Sequence, residues 1–450
     1  MSGYARPVQL PVPGPGPDAA VRFVREHLAD LTCDTPAASV TIRGGQTAAD
    51  AALAALDVTG YAGSRNQVWP PERRGASRMS PYVRYNLVDL PTLWDHVADA
   101  PTNDRRKYRD ELAWQEFTRH LYARFGRDGR PALREELRAQ PPQAPEVWDE
   151  PWPRDMRCMD ATVGELHADG WLVNQTRMWL ASQWTVRAGA RWRDGEEEFF
   201  THLLDGSRAA NRLNWQWTVG AGNGKAYAFS RWQVQKRAPA LCRECALRDA
   251  CPVASWPADQ RTSRVAVSDL LRGDPDPEVT AGPESADGDA SVDGEVDGEV
   301  DGGVDAVWLT GESLGDADRA LVAHPDVPAV FCFDEPLLSR LMLSGKRLVF
   351  LVETLADLAT RRPVEIRRGR VADELAGRRL AVTFAPVPGF RRRAAELEPA
   401  VVHPWPWLFR PRAGRIQSYS AWRKGVPAQP DRPAQPDRPA QPDRPAQPDR

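Results

Sequence analysis

The chain has 450 residues, a length typical of two or three domains. Its 59 Lys and Arg residues nearly balance 62 Asp and Glu residues, so the formal net charge of -3 neither favours nor excludes a nucleic-acid partner. No apolar run approaches a membrane span and no apolar signal segment opens the chain, so we expect a cytoplasmic monomer without membrane contact. The six cysteines are then expected as thiols or metal ligands, not as disulfides.

The first part of the chain predicts a helical domain. Residues 1–17 are rich in proline and glycine and are expected to be disordered. Apolar periodicity predicts helices over residues 18–30, 47–61 and 104–126. We assign residues 18–256 to this one domain.

Residues 164–217 have the most unusual composition. They combine the apolar spacing of buried helices with many Asn, Asp, Arg and Trp residues. Asn174 and Arg177 are three residues apart and therefore share a helix face. Buried polar groups need partners, so this mixture predicts a flat, polar, aromatic-lined ligand site.

A second polar segment, Ser77-Arg78-Met79-Ser80, precedes a predicted helix. Hydroxyls and free backbone N–H groups at a helix start can bind a phosphate. A simple serine cap of the helix is the alternative, and these residues alone favour the cap.

Three motifs in residues 170–217 point to a family: GW-x-x-N-x-x-RM-x-x-AS, W-R-x-G and LLDG-x-x-AAN-x-x-NWQW. In this order and spacing they resemble the flavin domain of DNA photolyases and cryptochromes. The resemblance implies a DNA-binding flavoprotein whose photoexcited reduced FAD donates an electron to UV-induced pyrimidine dimers in DNA and so splits them. The alternative is a cryptochrome-like blue-light sensor without repair activity.

The resemblance also implies which residues contact FAD. The segment before the helix would grip the diphosphate, and the central motifs would surround the flavin ring. Asn211 would face the ring, and Asp205 would contact the ring edge or Arg177. Ser207 stands where many relatives have a second Asp. The implied set is Tyr61, Ser77, Arg78, Met79, Ser80, Asn174, Arg177, Asp205, Ser207 and Asn211.

Substrate residues are implied by the same resemblance. Glu111 would hydrogen-bond the pyrimidine, and Trp114 would be the flat surface on which bases turned out of the duplex stack. Asn174 would contact both flavin and substrate. Gln175 replaces an Arg that holds the lesion phosphate in many bacterial photolyases.

Trp215 and Trp192 match the inner two members of the family's electron-relay chain, for which plain core packing is the alternative. The outermost relay Trp is missing from its expected place, and Trp148 and Trp152 lie later in the chain.

Cys242, Cys245 and Cys251 form a tight sequence cluster. Together with Cys158 they resemble the ligands of the bacterial iron–sulfur branch of the family, in which four thiolates hold a [4Fe–4S] cluster. Zinc is the competing ligand for four cysteines, and unligated thiols are the third possibility. The two remaining cysteines have no such neighbours and are expected to be simply packed.

The second half of the chain changes character twice. Residues 257–305 are acidic and glycine-rich and predict a disordered linker. In residues 306–412, short apolar runs alternate with helices, which predicts a Rossmann-like α/β domain with a parallel sheet. This segment resembles the photolyase antenna domain, so the two domains stand in permuted order; an antenna chromophore is left open. Residues 413–450 predict an extended Pro-rich tail with four PAQPDR repeats.

Overall fold

The computed structural model describes residues 8–129, 132–137, 148–222, 224–257, 262–286, 303–428 and 430. The strands are β1 Val8–Leu10, β2 Glu135–Leu137, β3 Thr262–Arg264, β4 Ala306–Leu309, β5 Ala329–Asp334, β6 Val364–Gly369, β7 Leu380–Thr383 and β8 Val401–His403. The first helices are α1 Pro17–His27, α2 Gln46–Ala54, α3 Tyr61–Ser64, α4 Ser80–Arg84, α5 Leu90–His96, α6 Thr102–Phe125, α7 Arg157–Asp169, α8 Asn174–Ser182, α9 Trp192–His202 and α10 Ala210–Thr218. The remaining ones are α11 Arg231–Arg237, α12 Pro239–Arg243, α13 Pro277–Ala281, α14 Arg319–Ala323, α15 Glu335–Leu341, α16 Gly345–Ala359, α17 Val371–Glu374, α18 Pro388–Leu397 and α19 Tyr419–Gly425.

Six strands form the main sheet, in the order β1-β6-β5-β4-β7-β8. Neighbours from β4 to β8 run parallel, while β1 joins β6 antiparallel. Strands β4 and β7 are buried along their whole length, which explains why their sequences are continuously apolar. The predicted Rossmann-like, mostly parallel α/β part is confirmed, and its strand order reverses between β4 and β7.

The N-terminal segment belongs to this sheet. Val8 pairs with Arg368 and Leu10 with Ile366, so β1 covers backbone groups that β6 would otherwise expose at an edge. Helix α1 then packs on α16, with Phe23 and Val24 buried. The prediction of disorder over residues 1–17 is therefore wrong for residues 8–17, and residues 1–7 lie outside the described chain. Helices α1 and α2, which the sequence assigned to the helical domain starting at residue 18, both contact α16 of the α/β part.

Part of the predicted acidic linker is folded. Strand β3 pairs with β2, and Leu271 is buried in the main core. The Arg124 guanidinium lies 3.0 Å from Asp274, and Trp407 donates a hydrogen bond to the Ala281 carbonyl. The prediction of a disordered linker is therefore wrong for residues 262–286. Their apolar residues did not stand out in the sequence, because residues 257–305 taken together are acidic and glycine-rich. The acidic repeat over residues 287–302 lies outside the described residues.

The start of the predicted tail is folded as well. Helix α19 buries Trp422, whose indole N–H donates to Nδ1 of His120 on α6. Ile416 joins the same core. Residues 413–426 are therefore not part of an extended tail, because two apolar anchors bind them to the helical part. Nearly all of the PAQPDR repeats lie outside the described residues.

Helix α6 lies at the centre of the helical part. Its Phe117 and Leu121 belong to the same buried core as Val307 of β4, so one apolar core joins the two parts. A second core surrounds Trp179 and Trp215. The predicted helical part is thus observed beside the α/β part. No helix in the described ranges has the length and apolarity needed to span a bilayer.

Candidate functional site

A cavity of about 640 Å³ lies between α4, α6, α8 and α10. This volume is within the range of about 300–1,000 Å³ that is typical of ligand sites. Most of the residues predicted from the sequence line this one cavity: Tyr61, Ser77, Arg78, Met79, Ser80, Glu111, Trp114, Asn174, Arg177, Asp205, Asn211 and Trp215. They come from segments up to 154 residues apart, as Tyr61 and Trp215 are.

An ion pair forms one wall of the cavity. Arg177 donates from both terminal nitrogens to the Asp205 carboxylate, at 3.1 and 2.7 Å. Its Nε donates to the Leu172 carbonyl, which fixes the plane of the guanidinium. The predicted contact between Asp205 and Arg177 is formed, and each charge is compensated where it is largely buried.

The segment before α4 forms a second wall. Arg78 has a φ of 57°, an uncommon conformation for a residue with a side chain. Its guanidinium donates to the Thr41 hydroxyl and lies 4.8 Å from the centre of the Trp171 ring. The Ser80 hydroxyl accepts from the Trp171 indole at 3.1 Å. No side chain caps α4, so the alternative of a serine cap is not observed.

Glu111 and Trp114 lie on α6 at the opening of the cavity. The Glu111 carboxylate is 2.9 Å from Lys107 and 3.3 Å from Arg65, so its charge is balanced on two sides. The Trp114 indole stacks on the Tyr419 ring, with 3.9 Å between centroids and 9° between planes. Sequence reasoning missed Tyr419, although its spacing of three from Trp422 was a signal for a helix face.

Three polar residues of α8 and α10 differ in their surroundings. Gln175 is buried away from the cavity and donates to the Tyr227 hydroxyl at 2.9 Å. Asn211 lines the cavity and donates from its amide to the Glu196 carbonyl, also at 2.9 Å. Asn174 begins α8 with an exposed side chain at the cavity wall.

Ser207 lies elsewhere. Its hydroxyl accepts from the backbone N–H of Ala210 at the start of α10, and the residue lines a different cavity. A serine in this position provides a hydrogen-bond acceptor for a free backbone N–H group at the start of α10. It does not reach the cavity between α4, α6, α8 and α10. Ser207 is therefore not part of the candidate cofactor site.

Three tryptophans of the second core follow one another from the cavity wall: Trp215, Trp184 and Trp152. Trp215 is almost fully buried, and its indole N–H has no hydrogen-bond partner among the described residues. Gly195 lies between the rings of Trp215 and Trp184. A Cβ atom at this position would collide with the Trp215 indole and lie 3.0 Å from Trp184, so the two rings are close together. The Trp184 ring in turn lies 4.7 Å from that of Trp152. Half-buried Trp192 opens α9 and does not line the cavity.

Trp184 was missed as a relay candidate. It lies in a π-helical turn, Gln183–Arg187, which follows α8 directly. The wider turn changes the direction of the side chains compared with a regular helix, so helical spacing did not indicate that Trp184 approaches Trp215.

Comparison with known proteins agrees with this geometry. Residues 108–240 match the family described as the FAD binding domain of DNA photolyase. These residues are similar to a photolyase FAD-binding domain. Their range contains Glu111, Trp114 and all of the central motifs.

Curated relatives match over a similar part. A deoxyribodipyrimidine photo-lyase of Thermus thermophilus is 34% identical over 174 residues, 38% of this chain and 40% of that protein. One from Synechococcus is 29% identical over 195 residues, 40% of each chain. The matched part thus spans about two fifths of these relatives. A class III photolyase from Agrobacterium tumefaciens aligns in structure over 50% of this chain and 46% of its own, with 23% identity and a TM-score of 0.37.

Four thiols from residues 158–251 line a second, much smaller cavity. Cys158 at the start of α7 and Cys242 of α12 line one small cavity with Cys245 and Cys251. Burial, and then the nearby Cys242 and Cys251, raise the pKa of Cys158. In the described part of the chain, no three of these thiols have sulfur atoms all within 4.8 Å of one another. Tetrahedral zinc would require sulfurs only about 3.8 Å apart, given Zn–S bonds near 2.3 Å.

A second large cavity, of about 680 Å³, lies at the carboxyl ends of the parallel strands. Thr310 follows β4 and Pro386 follows β7, so the cavity lies where the strand order reverses, the usual ligand position in such sheets. Helices α6 and α10 also contribute to its wall. Several arginines line it: Arg84, Arg119, Arg208, Arg212, Arg347 and Arg393.

Proposed function

We propose that this protein is a blue-light-dependent, photolyase-like flavoprotein, a deoxyribodipyrimidine photolyase-type carbon–carbon lyase that repairs UV-induced pyrimidine dimers in DNA. One observation carries the proposal: the residues suited to flavin and the residues suited to a flipped base line the same cavity. The match of residues 108–240 and the names of the curated relatives support it.

The residues of the cavity fit FAD. Ser77 to Ser80 would hold the diphosphate through hydroxyls and the Arg78 guanidinium, and the Arg177–Asp205 pair would border the ring system. When bound and reduced, FAD would supply on illumination the electron that splits the dimer. At the opening, the flat face of Trp114 would stack on the flipped bases, and the Glu111 carboxylate would accept a hydrogen bond from a pyrimidine N–H.

The four clustered thiols fit a [4Fe–4S] cluster better than zinc, because their spacing exceeds the compact tetrahedron that zinc requires. With such a cluster the chain would resemble the iron–sulfur branch. The α/β strands follow the flavin helices in the sequence, which supports a permuted domain order. The arginine-rich second cavity would suit an anionic aromatic antenna chromophore.

A spectrum of the purified protein followed by a repair assay tests the proposal. FAD and iron absorption are expected, and blue light with reductant should give dimer repair in single-stranded DNA. If the protein carries photoreducible FAD but repairs no dimer, the lyase proposal is wrong.

One observation favours a cryptochrome-like light sensor as the second candidate. Tyr419 occupies a face of Trp114, so a base has no access to that face in the observed conformation. A sensor predicts photoreduction without repair, both in the wild type and in a Tyr419→Ala variant. Repair by either protein would exclude the sensor without repair activity.

A further inference from the structure

A group of side chains that can bind a metal lies apart from the cavity between α4, α6, α8 and α10 and from the four clustered thiols. His167 comes from α7, and Glu198 and His202 come from α9. Glu198 and His202 are four residues apart, so both point from one face of α9 toward His167. The sequence motifs gave no reason to consider these three residues.

The distances suit one small metal ion. Nε2 of His202 lies 3.3 Å from Oε1 of Glu198, and Nε2 of His167 lies 3.8 Å from the same oxygen. Two ligands bound to zinc at about 2.0–2.1 Å with a tetrahedral angle are about 3.3–3.4 Å apart. One donor atom from each residue lies within 4.8 Å of the others, so rotations of the exposed His167 side chain would bring the three donors to a common ion.

The opposite side of His202 is also lined by ligands. Cys33 and Asp34 offer a thiol and a carboxylate within 4.8 Å of the imidazole. Nδ1 of His202 is buried and has no hydrogen-bond partner among the described residues, with Asp34 Oδ2 at 3.9 Å. A carboxylate near the second nitrogen of a metal-bound imidazole is the usual way to orient the ring and strengthen the ligand.

The charges are compatible with a dication. Glu198 and Asp34 contribute two negative charges, and Lys346 lies 4.0 Å from Asp34 and offsets one of them. A simple imidazole–carboxylate ion pair would also explain these contacts, and it is the alternative to be tested.

We propose that His167, Glu198 and His202 bind a divalent transition-metal ion of the Zn²⁺ class, with Asp34 orienting His202 from behind. Two histidines and one glutamate leave the fourth position for water, as in known three-ligand zinc sites. The bound ion fastens the end of α9 to α7, three residues before Asp205 of the flavin cavity. The site does not depend on the proposed light chemistry.

Zinc binding to the full-length protein tests this site. The protein with its cofactors retained is dialysed against a chelator and titrated with ZnCl₂ by calorimetry, and its Tm is measured with and without zinc. The wild type should bind one more equivalent of Zn²⁺ than His167→Ala or Glu198→Gln, and zinc should raise Tm only in the wild type. Circular dichroism verifies that the variants are folded.

His27→Ala is the matched control, because His27 is a histidine that lies 3.9 Å from the Glu26 carboxylate outside this group. This variant and Cys33→Ser should keep the extra equivalent. Equal zinc stoichiometry and equal Tm response in the wild type and in His167→Ala would leave only the ion pair and overturn the proposal. Loss of zinc in Cys33→Ser with retention in His167→Ala would also overturn it, because the metal would then lie on the other side of His202.

Discussion

The ring of Tyr419 covers the indole of Trp114, with 3.9 Å between centroids and 9° between planes. The Tyr419 hydroxyl donates to the Asp110 carboxylate one turn earlier on α6, which holds the ring in place. Helix α19 thus lies over the surface on which we propose that flipped bases stack.

Removal of the Tyr419 ring should strengthen DNA binding. A base must displace an aromatic contact of about 1 kcal/mol, so Tyr419→Ala should bind dimer-containing single-stranded DNA about fivefold more tightly at fixed salt. Fluorescence anisotropy measures the affinity. Tyr419→Phe keeps the ring and loses only the bond to Asp110, so it should gain less affinity than Tyr419→Ala. If Tyr419→Ala gains affinity equally in a Trp114→Ala background, the covered indole is not the cause.

Loss of the Asp205 charge should weaken FAD binding. Asp205→Asn leaves the largely buried Arg177 guanidinium without its counter-ion, at a cost of about 3 kcal/mol. The ratio of flavin to protein absorbance after gel filtration should fall. Glu165→Gln breaks a comparable pair with Arg74 that does not line the cavity, and it should retain FAD. Full FAD content in Asp205→Asn would remove this pair from the proposed site.

We propose that Trp215 passes electrons to the photoexcited flavin and that one of two tryptophans supplies them. The motif predicts Trp192 as the next member, whereas the packing around Gly195 brings Trp184 close to Trp215. We expect Trp215→Phe and Trp184→Phe to lose most flavin photoreduction, with a smaller effect of Trp192→Phe. Absorbance during blue illumination measures the rate, and exposed Trp232→Phe is the control. A normal rate in Trp184→Phe with a slow rate in Trp192→Phe would restore the motif's route.

Removal of one clustered thiol should remove the metal. Cys245→Ala leaves three ligands for a cluster that needs four, so iron content and brown colour should be lost. Cys332→Ala, at a buried cysteine of β5, should keep both. Metal analysis of the wild type distinguishes iron from zinc. Iron at the wild-type level in Cys245→Ala would exclude the proposed ligand set.

Buried Glu116 should make stability depend on pH. Its carboxylate accepts from the backbone N–H groups of Leu408 and Phe409, and burial raises its pKa to about 7 from 4.5. The folded state therefore binds the proton more tightly than the unfolded chain does. The resulting stabilisation is complete below about pH 4.5 and is lost as pH rises to about 7, a change of about 3 kcal/mol.

Glu116→Gln removes this titration. Urea unfolding between pH 5 and 8 should show a smaller loss of stability with rising pH in Glu116→Gln than in the wild type. Exposed Glu72→Gln should behave as the wild type does. The same pH dependence in Glu116→Gln and the wild type would contradict the raised pKa.

The sequence by itself determined the elements whose signals are local. Continuous apolar runs predicted β4, β5 and β7, and the resemblance of the motifs to the photolyase flavin domain predicted many of the residues that line the cavity between α4, α6, α8 and α10. The same resemblance left Asp205 to contact either the flavin ring edge or Arg177, and the structure forms the pair with Arg177.

The tertiary structure decided what depends on contacts distant in the sequence. Three residues, Val8–Leu10, become a strand only because β6 offers an open edge. Similarly, Tyr419 covers Trp114 only because Trp422 is anchored on His120, and His167 meets Glu198 and His202 only where α7 packs beside α9. Composition and periodicity report the local preference of a segment. These pairings depend instead on which surfaces, formed by residues far away in the sequence, are still exposed for the segment to pack against.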